Sequence, residues 1–358
     1  MTRPVALLLA APLLAAATWE SVVAPPRLAF PRDHGAHPAF RTEWWYVTGV
    51  LRAAHGREVG FQVTFFREGL DPSPPMPGAS PLRARQVLAA HLAVGEVGRG
   101  RMRFAERVRR TAGGLAAASA DDLDLVLDDW TMRRTADGTI TVTAADRGCA
   151  AGLRLELAPS RPIVLHGDRG LSRKGPEPGN ASAYVSWTRL TARGTVELDG
   201  RAAPAAGEAW LDHEWGSSQL GPEVDGWDWF GLRLADGRDV MVYRLRRRDG
   251  SAACESAGTL VAPDGSVRHL AASEVTVAAR GWWVSPRTRA RYPAAVRISV
   301  PAAGLDLETR PLIPDSELDA RASTGTVYWE GPVAVSGSAS GEGYAEHTGY
   351  AGSLAGRF

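Results

Sequence analysis

The sequence of 358 residues has little cysteine, almost no lysine and no excess of either charge. Its two cysteines, Cys149 and Cys254, cannot form a zinc site alone, because such a site takes four ligands, and whether they pair is open. Lys174 is the one lysine among 41 basic residues, so the chain offers a single side-chain amine for Schiff-base chemistry. The net charge is +1 and no basic stripe occurs, which argues against a nucleic-acid partner.

Motifs for cofactor and nucleophile chemistry are missing as well. No glycine-rich loop stands between a strand and a helix, and no serine lies in a nucleophile elbow. His34 and His37, and separately Asp212, His213 and Glu214, lack the spacing of a zinc-binding helix, and neighbouring strand residues point in opposite directions. We therefore predict neither a cofactor nor a metal.

Long apolar runs are absent, and the one short run lies at the N-terminus. Arg3 precedes an apolar stretch at residues 5–14, and three alanines ending at Ala17 form a small-residue cleavage site. The stretch is too short for a bilayer, which takes about 20 residues. We predict that residues 1–17 are a signal peptide and that the mature chain is periplasmic or secreted, without a transmembrane span. An uncleaved anchor is the alternative.

Turn-forming residues, in contrast, are abundant, with 39 glycines and 24 prolines. Short runs of alternating apolar residues, such as 58–67, recur along the chain. Between them stand hairpin-favouring Asp-Gly pairs at 137–138, 199–200, 236–237, 249–250 and 264–265. Only residues 83–93 and 315–320 have helix-like composition. The pattern predicts an all-β chain that forms a barrel or sandwich twice, with residues 216–226 as the boundary.

Twelve tryptophans outnumber the tyrosines and also the phenylalanines, and several stand beside acidic residues. Strand alternation places His213 and Trp215 on one face of their strand, and Asp212 and Glu214 on the other. A histidine on an apolar face is either a satisfied core residue or a functional group, and the pattern leaves both open. The other aromatic and acidic clusters are residues 43–46, 227–230 and 328–330.

Eight segments carry a family resemblance. They are PRDHGAHP (31–38), EWWYVTG (43–49), GFQVTFFR (60–67), the loop at 174–176 followed by AYVSWTRL (183–190), GEAWLDHEWGSS (207–218), GWDWFGLRLADG (226–237), VYWEGPVAVSG (327–337) and GYAEHTGY (343–350). They resemble the AttH and carotenoid 1,2-hydratase family (hydroxyneurosporene synthase, CrtC-like). The resemblance implies two lipocalin-like antiparallel β-barrel domains, at 18–216 and 217–358.

The resemblance also implies one of two activities. One branch of the family hydrates terminal double bonds of carotenoids without a cofactor, and the exported AttH-like branch has no settled activity and is often associated with ABC-type export systems. His213 and Trp215 match positions implicated in hydration, and Tyr243 and Asp239 lie in about the strand of a further Tyr and Asp pair. The predicted catalytic set is His213, Asp212, Glu214 and Trp215, and the predicted ligand-binding set is Glu43, Trp44, Trp45, Tyr46, Trp227, Trp229, Tyr243, Trp329 and Glu330.

Hydration of an alkene begins with proton transfer to carbon, which leaves a carbocation. The site needs a carboxylic acid with a raised pKa in an apolar pocket, aromatic faces and one placed water, whereas a binding module needs only an apolar interior with polar anchors. We predict an exported protein that binds an extended hydrophobic small molecule, a lipid or isoprenoid, with hydratase activity as a further hypothesis. The alternative is a carbohydrate-binding or glycan-processing β protein, in which an indole stacks on a pyranose ring and paired carboxylates cut the glycosidic bond. Asp212 and Glu214, about 7 Å apart along a strand, are compatible with either carboxylate geometry.

Overall fold

The computed structural model describes residues 17–73, 78, 80, 82–217 and 220–355. The predicted signal peptide therefore lies outside the described residues, except for Ala17. Within these ranges the chain forms strands and four 3-10 helices but no α-helix, and no helix is long and apolar enough to cross a membrane. The 3-10 helices are Arg32–His34, Ala54–Gly56, Ala272–Glu274 and Pro301–Ala303.

The strands form two antiparallel sheets, one curled into a barrel and the other into a half-barrel, which confirms the predicted all-β class. The first sheet contains β1 (Thr42–Ala53), β2 (Glu58–Gly69), β3 (Gln86–Glu96), β4 (Arg103–Arg110), β5 (Ala116–Ala118), β6 (Asp124–Leu127), β7 (Trp130–Arg134), β8 (Ile140–Asp146), β9 (Ala151–Pro159), β10 (Val164–Leu165), β11 (Leu171–Arg173), β12 (Ala181–Leu198) and β13 (Arg201–Gly216). Its main path runs β4-β3-β2-β1-β13-β12-β9-β8-β7-β6-β5, and β10 and β11 pair with β12.

The second sheet begins after the first has ended at Gly216. It contains β14 (Val224–Leu234), β15 (Asp239–Arg247), β16 (Ala257–Val261), β17 (Val267–Ala271), β18 (Thr276–Val284), β19 (Arg291–Val300), β20 (Leu305–Pro311), β21 (Glu317–Ala320), β22 (Thr326–Gly337) and β23 (Gly341–His347). Its main path runs β17-β16-β15-β14-β23-β22-β20-β19-β18, and β21 pairs with β22. The division into domains at 18–216 and 217–358 stays a prediction.

The predicted Asp-Gly turns lie between strands. Asp199 and Gly200 alone join β12 to β13, and both residues have positive φ, at 55° and 69°. A two-residue hairpin of this kind needs positive φ at both positions, which aspartate tolerates and glycine adopts freely. The local sequence therefore fixes this hairpin.

Neither stretch of helix-like composition forms a helix. Residues 83–93 belong mostly to β3, which pairs with β2 along its length and with β4 over most of it. Residues 315–320 include β21, whose four residues pair with β22. The alanine-rich composition of residues 83–93 favours a helix in isolation, but cross-strand pairing and burial on both faces of β3 override that propensity.

The strand β1 is buried on both faces, and its two faces belong to different cores. Trp45, Val47 and Leu51 point into the core of the first sheet. Tyr46 points outward and packs edge-on against Trp229 of the second sheet, with ring centroids 5.3 Å apart. A shared aromatic cluster thus joins the sheets; its members include Tyr46, Tyr184, Trp210, Trp229, Tyr243 and Tyr344.

A buried carboxylate also joins the two sheets. Asp239 in β15 accepts hydrogen bonds from Arg161 at 3.0 Å, from Arg189 at 2.7 Å and from Thr188 at 2.9 Å. Asp239 is fully buried, so these contacts balance a charge that would otherwise be costly. Asp239 therefore has a structural role at the contact between the two sheets. Its side chain does not line the cavity described below.

Candidate functional site

A cavity lies between the two sheets. Its walls come from β1, β2, β3, β12 and β13 on one side and from β14, β15, β22 and β23 on the other. About 150 Å³ is open to the centres of water-sized molecules, whereas one water needs roughly 10–15 Å³. Aromatic rings form a large part of the wall, and they are those of Trp44, Tyr46, Phe66, Tyr184, Trp227, Trp229, Tyr243 and Tyr328. The cavity can therefore hold an apolar molecule larger than water.

Asp212 is buried in the wall of this cavity and is surrounded by hydrogen-bond donors. Tyr184 Oη donates to Oδ2 at 2.6 Å, Trp210 Nε1 donates to Oδ1 at 2.5 Å, and Ser186 Oγ also donates to Oδ1. Trp229 Nε1 in turn donates to Tyr184 Oη at 2.9 Å. Burial raises the pKa of Asp212 to about 7, although the three donors act in the opposite direction. The carboxyl therefore gains and loses a proton near neutral pH.

The only lysine of the sequence also lies in the cavity wall. Lys174 Nζ is 3.1 Å from Glu214 Oε1, and it lies 3.9 Å from the ring centroid of Tyr243 and 5.1 Å from that of Tyr184. Burial is the largest single influence and lowers the pKa of Lys174, but the hydrogen bond to Glu214 and the nearby charges of Glu214, Tyr243 and Asp212 together outweigh it, so the net shift is upward. The amine is therefore held as a cation and is poorly suited to Schiff-base chemistry, which needs the neutral form.

Two further glutamates face each other across neighbouring strands of the second sheet. Glu330 in β22 pairs directly with Glu346 in β23, and such positions have Cβ atoms about 4.5–5.5 Å apart. Trp227 Nε1 donates to Glu346 at 3.1 Å, while Oε1 of Glu330 is buried without a hydrogen-bond partner. Burial raises the pKa of Glu346 to about 7 and that of Glu330 well above its ordinary value. This glutamate pair therefore holds at least one proton at neutral pH.

His213 points away from the cavity and into the first sheet's interior. Its Nε2 lies 2.8 Å from Oε1 of Glu43, a fully buried carboxylate that also contacts His37 Nδ1 at 2.7 Å and Arg67 Nε at 2.7 Å. Burial raises the pKa of Glu43, but the hydrogen bonds from both histidines and the Arg67 charge outweigh it and hold the pKa well below its usual range. This buried network ties the segment before β1 to β2 and β13.

The same network includes a trio with metal-ligand geometry. His37, Glu43 and His213 each offer one donor atom, and these atoms lie within 4.8 Å of one another. However, the Arg67 guanidinium already neutralises the carboxylate, and its Nη2 donates to the carbonyl oxygens of His37 and Phe40. A divalent cation would lie beside a buried arginine, so this donor set does not suit a metal.

The structure divides the predicted site residues between two places. Lining the cavity are Asp212, Glu214, Trp44, Tyr46, Trp227, Trp229, Tyr243 and Glu330. Outside it lie His213, Trp215, Glu43, Trp45 and Trp329. Trp45 stacks on His213, Trp215 stacks on His37, and Trp329 packs in the second sheet's core. Strand alternation thus splits the predicted catalytic set across the two faces of β13.

Sequence reasoning missed several cavity residues, among them Tyr184, Glu346, His91 and Tyr328. Tyr184 and Glu346 lie within segments that carry the family resemblance, but their place becomes evident only from strand pairing. Tyr184 lies opposite Glu214, and Glu346 lies opposite Glu330. Both residues can be assigned to the site once the register of β12 with β13 and that of β22 with β23 are known.

Most of the chain matches one known protein family. The AttH-like family model matches residues 21–350. The crystal structure of an AttH from Nitrosomonas europaea is similar, with 37% identity, a TM-score of 0.82, and coverage of 92% of this chain and 99% of that chain. A search of curated proteins returns no match.

Two structures with low sequence identity share the fold. Kievitone hydratase from Nectria haematococca has 12% identity and a TM-score of 0.67, with coverage of 93% of this chain and 96% of that chain. CghA with Sch210972 has 14% identity and a TM-score of 0.51, with coverage of 91% and 97%. At these identities the similarity concerns the fold alone, and it agrees with the lipocalin-like architecture.

Proposed function

Because the chain belongs to the AttH-like family, we propose that it binds a hydrophobic small molecule between its two sheets and adds water to a carbon–carbon double bond of that molecule. The observation that carries the proposal is the placement of carboxyl groups with raised pKa values inside an aromatic cavity. Proton transfer to an alkene needs such an acid, and its product cation needs surroundings that do not react with it.

Glu346 is the proposed proton donor. It lines the cavity and is only partly buried, whereas Oε1 of its partner Glu330 is fully buried. The carboxyl proton is transferred to one alkene carbon, where the π electrons form the new C–H bond. The cation left at the other carbon is stabilised by the surrounding rings, with about 0.5–2 kcal/mol for each well-placed aromatic face.

Asp212 is the proposed base. Its three hydrogen-bond donors favour the ionised form. A water lone pair forms the C–O bond, and the surplus proton of that water passes to the Asp212 carboxylate. Transfer of this proton back to the glutamate pair restores the starting state. Tyr184, which joins Asp212 to Trp229, positions the carboxylate.

The cavity favours a lipid or isoprenoid over the carbohydrate alternative. The indoles of Trp44, Trp227 and Trp229 line a space between two sheets rather than a groove along one surface, and sugar-binding tryptophans need an accessible face on which a pyranose can stack. The fold shared with kievitone hydratase is compatible with hydration, although at 12% identity the reaction is our proposal for this chain. We also propose export through the predicted signal peptide at residues 1–17, a periplasmic or secreted location, and an association with an ABC-type export system.

The binding part of the proposal is tested by native mass spectrometry of the full chain purified from its own host, followed by solvent extraction. We expect a bound lipid or isoprenoid. A protein that carries no such molecule and instead binds oligosaccharides would overturn the proposal.

The chemical part is tested by incubating an unsaturated ligand so identified with the protein in oxygen-18 water. We expect labelled alcohol from the wild type, and a loss of about 100-fold or more in rate for Asp212→Asn and Glu346→Gln. The exposed Glu197 on β12 provides the matched control Glu197→Gln, for which the rate stays unchanged. Full activity of Asp212→Asn would show that Asp212 is not the base.

A further inference from the structure

The cavity has an excess of acidic groups over basic ones. Four carboxyls line it, those of Asp212, Glu214, Glu330 and Glu346, and Lys174 already pairs with Glu214. In the described part of the chain, no basic side chain lies within 4.0 Å of the other three carboxyls. Asp212 is held by hydroxyl and indole donors and Glu346 by an indole, none of which carries a charge.

The charges that act on the glutamate pair are themselves acidic. Asp212, Glu214 and Asp228 each raise the pKa of Glu346, and Glu346 raises that of Glu330. His91, from β3, also lines the cavity, but burial lowers its pKa to about 3, so its ring is neutral. Tyr46 and Tyr328, from β1 and β22, lie near Glu330, and both are neutral phenols. Within the described residues, no basic side chain on β1, β3 or β22 lies within 4.0 Å of either carboxyl, and Arg52 of β1 pairs with Glu58 and Glu342 instead.

One atom of the pair has an unfilled hydrogen-bonding position. Oε1 of Glu330 is buried without a partner, and the residue is 2% exposed. Oη of Tyr46 is also buried without a hydrogen bond of good geometry, although Tyr46 and Tyr328 lie close enough to Glu330 to lower the pKa of that carboxyl. Around them lie the rings of Trp44, Phe66, Trp227 and Trp229, whose faces attract cations. Opposed carboxyls inside an aromatic cavity form the arrangement that recognises an ammonium group.

We propose that the cavity binds apolar molecules that carry one positive charge, such as a tertiary or quaternary ammonium, and that this cation takes the place of the proton held by Glu330 and Glu346. The inference rests on the proposed function only in using the same cavity. The two agree chemically, because the hydration of an alkene passes through a cation of the same charge.

The test uses two probes of nearly equal shape. Phenyltrimethylammonium has a positively charged nitrogen where tert-butylbenzene has a neutral carbon. Calorimetry and tryptophan quenching with the full chain are expected to show about tenfold or tighter binding of the cation. Its binding is expected to release protons, counted in two buffers of different ionisation enthalpy, and to strengthen between pH 6 and pH 8 as the pair loses its proton.

The double variant Glu330→Gln/Glu346→Gln is expected to lose the preference for the cation and to keep its affinity for tert-butylbenzene. Glu197→Gln serves as the control and is expected to match the wild type; should the double variant not fold, Glu346→Gln alone is expected to reduce the preference. Equal affinity of the wild type for both probes would overturn the inference and leave the proposed function standing. Binding of neither probe would overturn both, and an unchanged preference in the folded double variant would overturn the role of the glutamate pair.

Discussion

Replacement of Glu43 by glutamine tests whether the buried network around His213 stabilises the fold. Glu43 and Arg67 are both almost fully buried, and their side chains make an ion pair of 2.7 Å. The variant removes the charge but keeps the shape, so that Arg67 becomes a buried cation without a counter-ion. Removing one partner of a buried ion pair costs about 3–5 kcal/mol. The lower end of this range is expected, because Arg67 keeps the carbonyl oxygens of His37 at 2.9 Å and Phe40 at 2.8 Å.

The assay is urea unfolding monitored by tryptophan fluorescence, with the free energy of unfolding extrapolated to water. The matched control is Glu68→Gln on β2, because Glu68 pairs with Arg41 at 2.8 Å on the surface. A surface pair contributes about 0–1 kcal/mol, so the control is expected to unfold nearly as the wild type does. A loss below about 1 kcal/mol for Glu43→Gln would refute the reasoning.

The same variant has a predicted dependence on pH. The folded protein holds the pKa of Glu43 below its unfolded value, which is about 4.3. The ionised carboxylate therefore stabilises the fold above about pH 4, and this contribution is lost as the pH falls further. Between pH 5 and pH 3 we expect the free energy of unfolding to fall more steeply for the wild type than for Glu43→Gln. If the free energy of unfolding fell equally steeply for both proteins, the fold would not lower the pKa of Glu43 and the prediction would be wrong.

Three further predictions follow from single side chains. His213→Gln is expected to lower the free energy of unfolding by about 1–3 kcal/mol without changing ligand affinity, since His213 does not line the cavity; a tenfold loss of affinity at unchanged stability would contradict this. Lys174 is 7% exposed, so an amine-reactive ester is expected to label it only after unfolding, and mass spectrometry of the native protein decides the point. Cys254 is exposed, and Cys149 is half-buried with its thiol pKa raised by burial. A thiol reagent is therefore expected to react quickly with Cys254 and slowly with Cys149. If neither cysteine reacts in the native protein, the two form a disulfide.

The sequence was sufficient to predict the class of fold because the signals for it are local. Alternating apolar residues and Asp-Gly turns act over two to ten residues, and the hairpin at Asp199 and Gly200 shows this directly. The helix-like composition of residues 83–93 is misleading for the opposite reason. The strand β3 owes its conformation to β2 and β4, which are separate segments of the chain, and local composition carries no information about them.

The candidate site was predictable only in part for the same reason. Alternation within β13 correctly separated Asp212 from His213, but the sequence did not show which of the two faces has a cavity. The pairing of Glu330 with Glu346 depends on the register of β22 with β23. The ion pair of Lys174 with Glu214 depends on a loop that lies before β12. Such contacts arise from the fold as a whole.

The aromatic cluster shared by the two sheets makes each half of the chain depend on the other for solubility. Tyr46, Tyr184 and Trp210 belong to one sheet, and Trp229, Tyr243 and Tyr344 belong to the other. Either half alone would present its rings to water as a large apolar patch, which favours aggregation. The two halves therefore depend on each other for solubility, and a chain cut between them would need its counterpart present at once. Residues of both sheets line the cavity, so neither half alone contains the complete site.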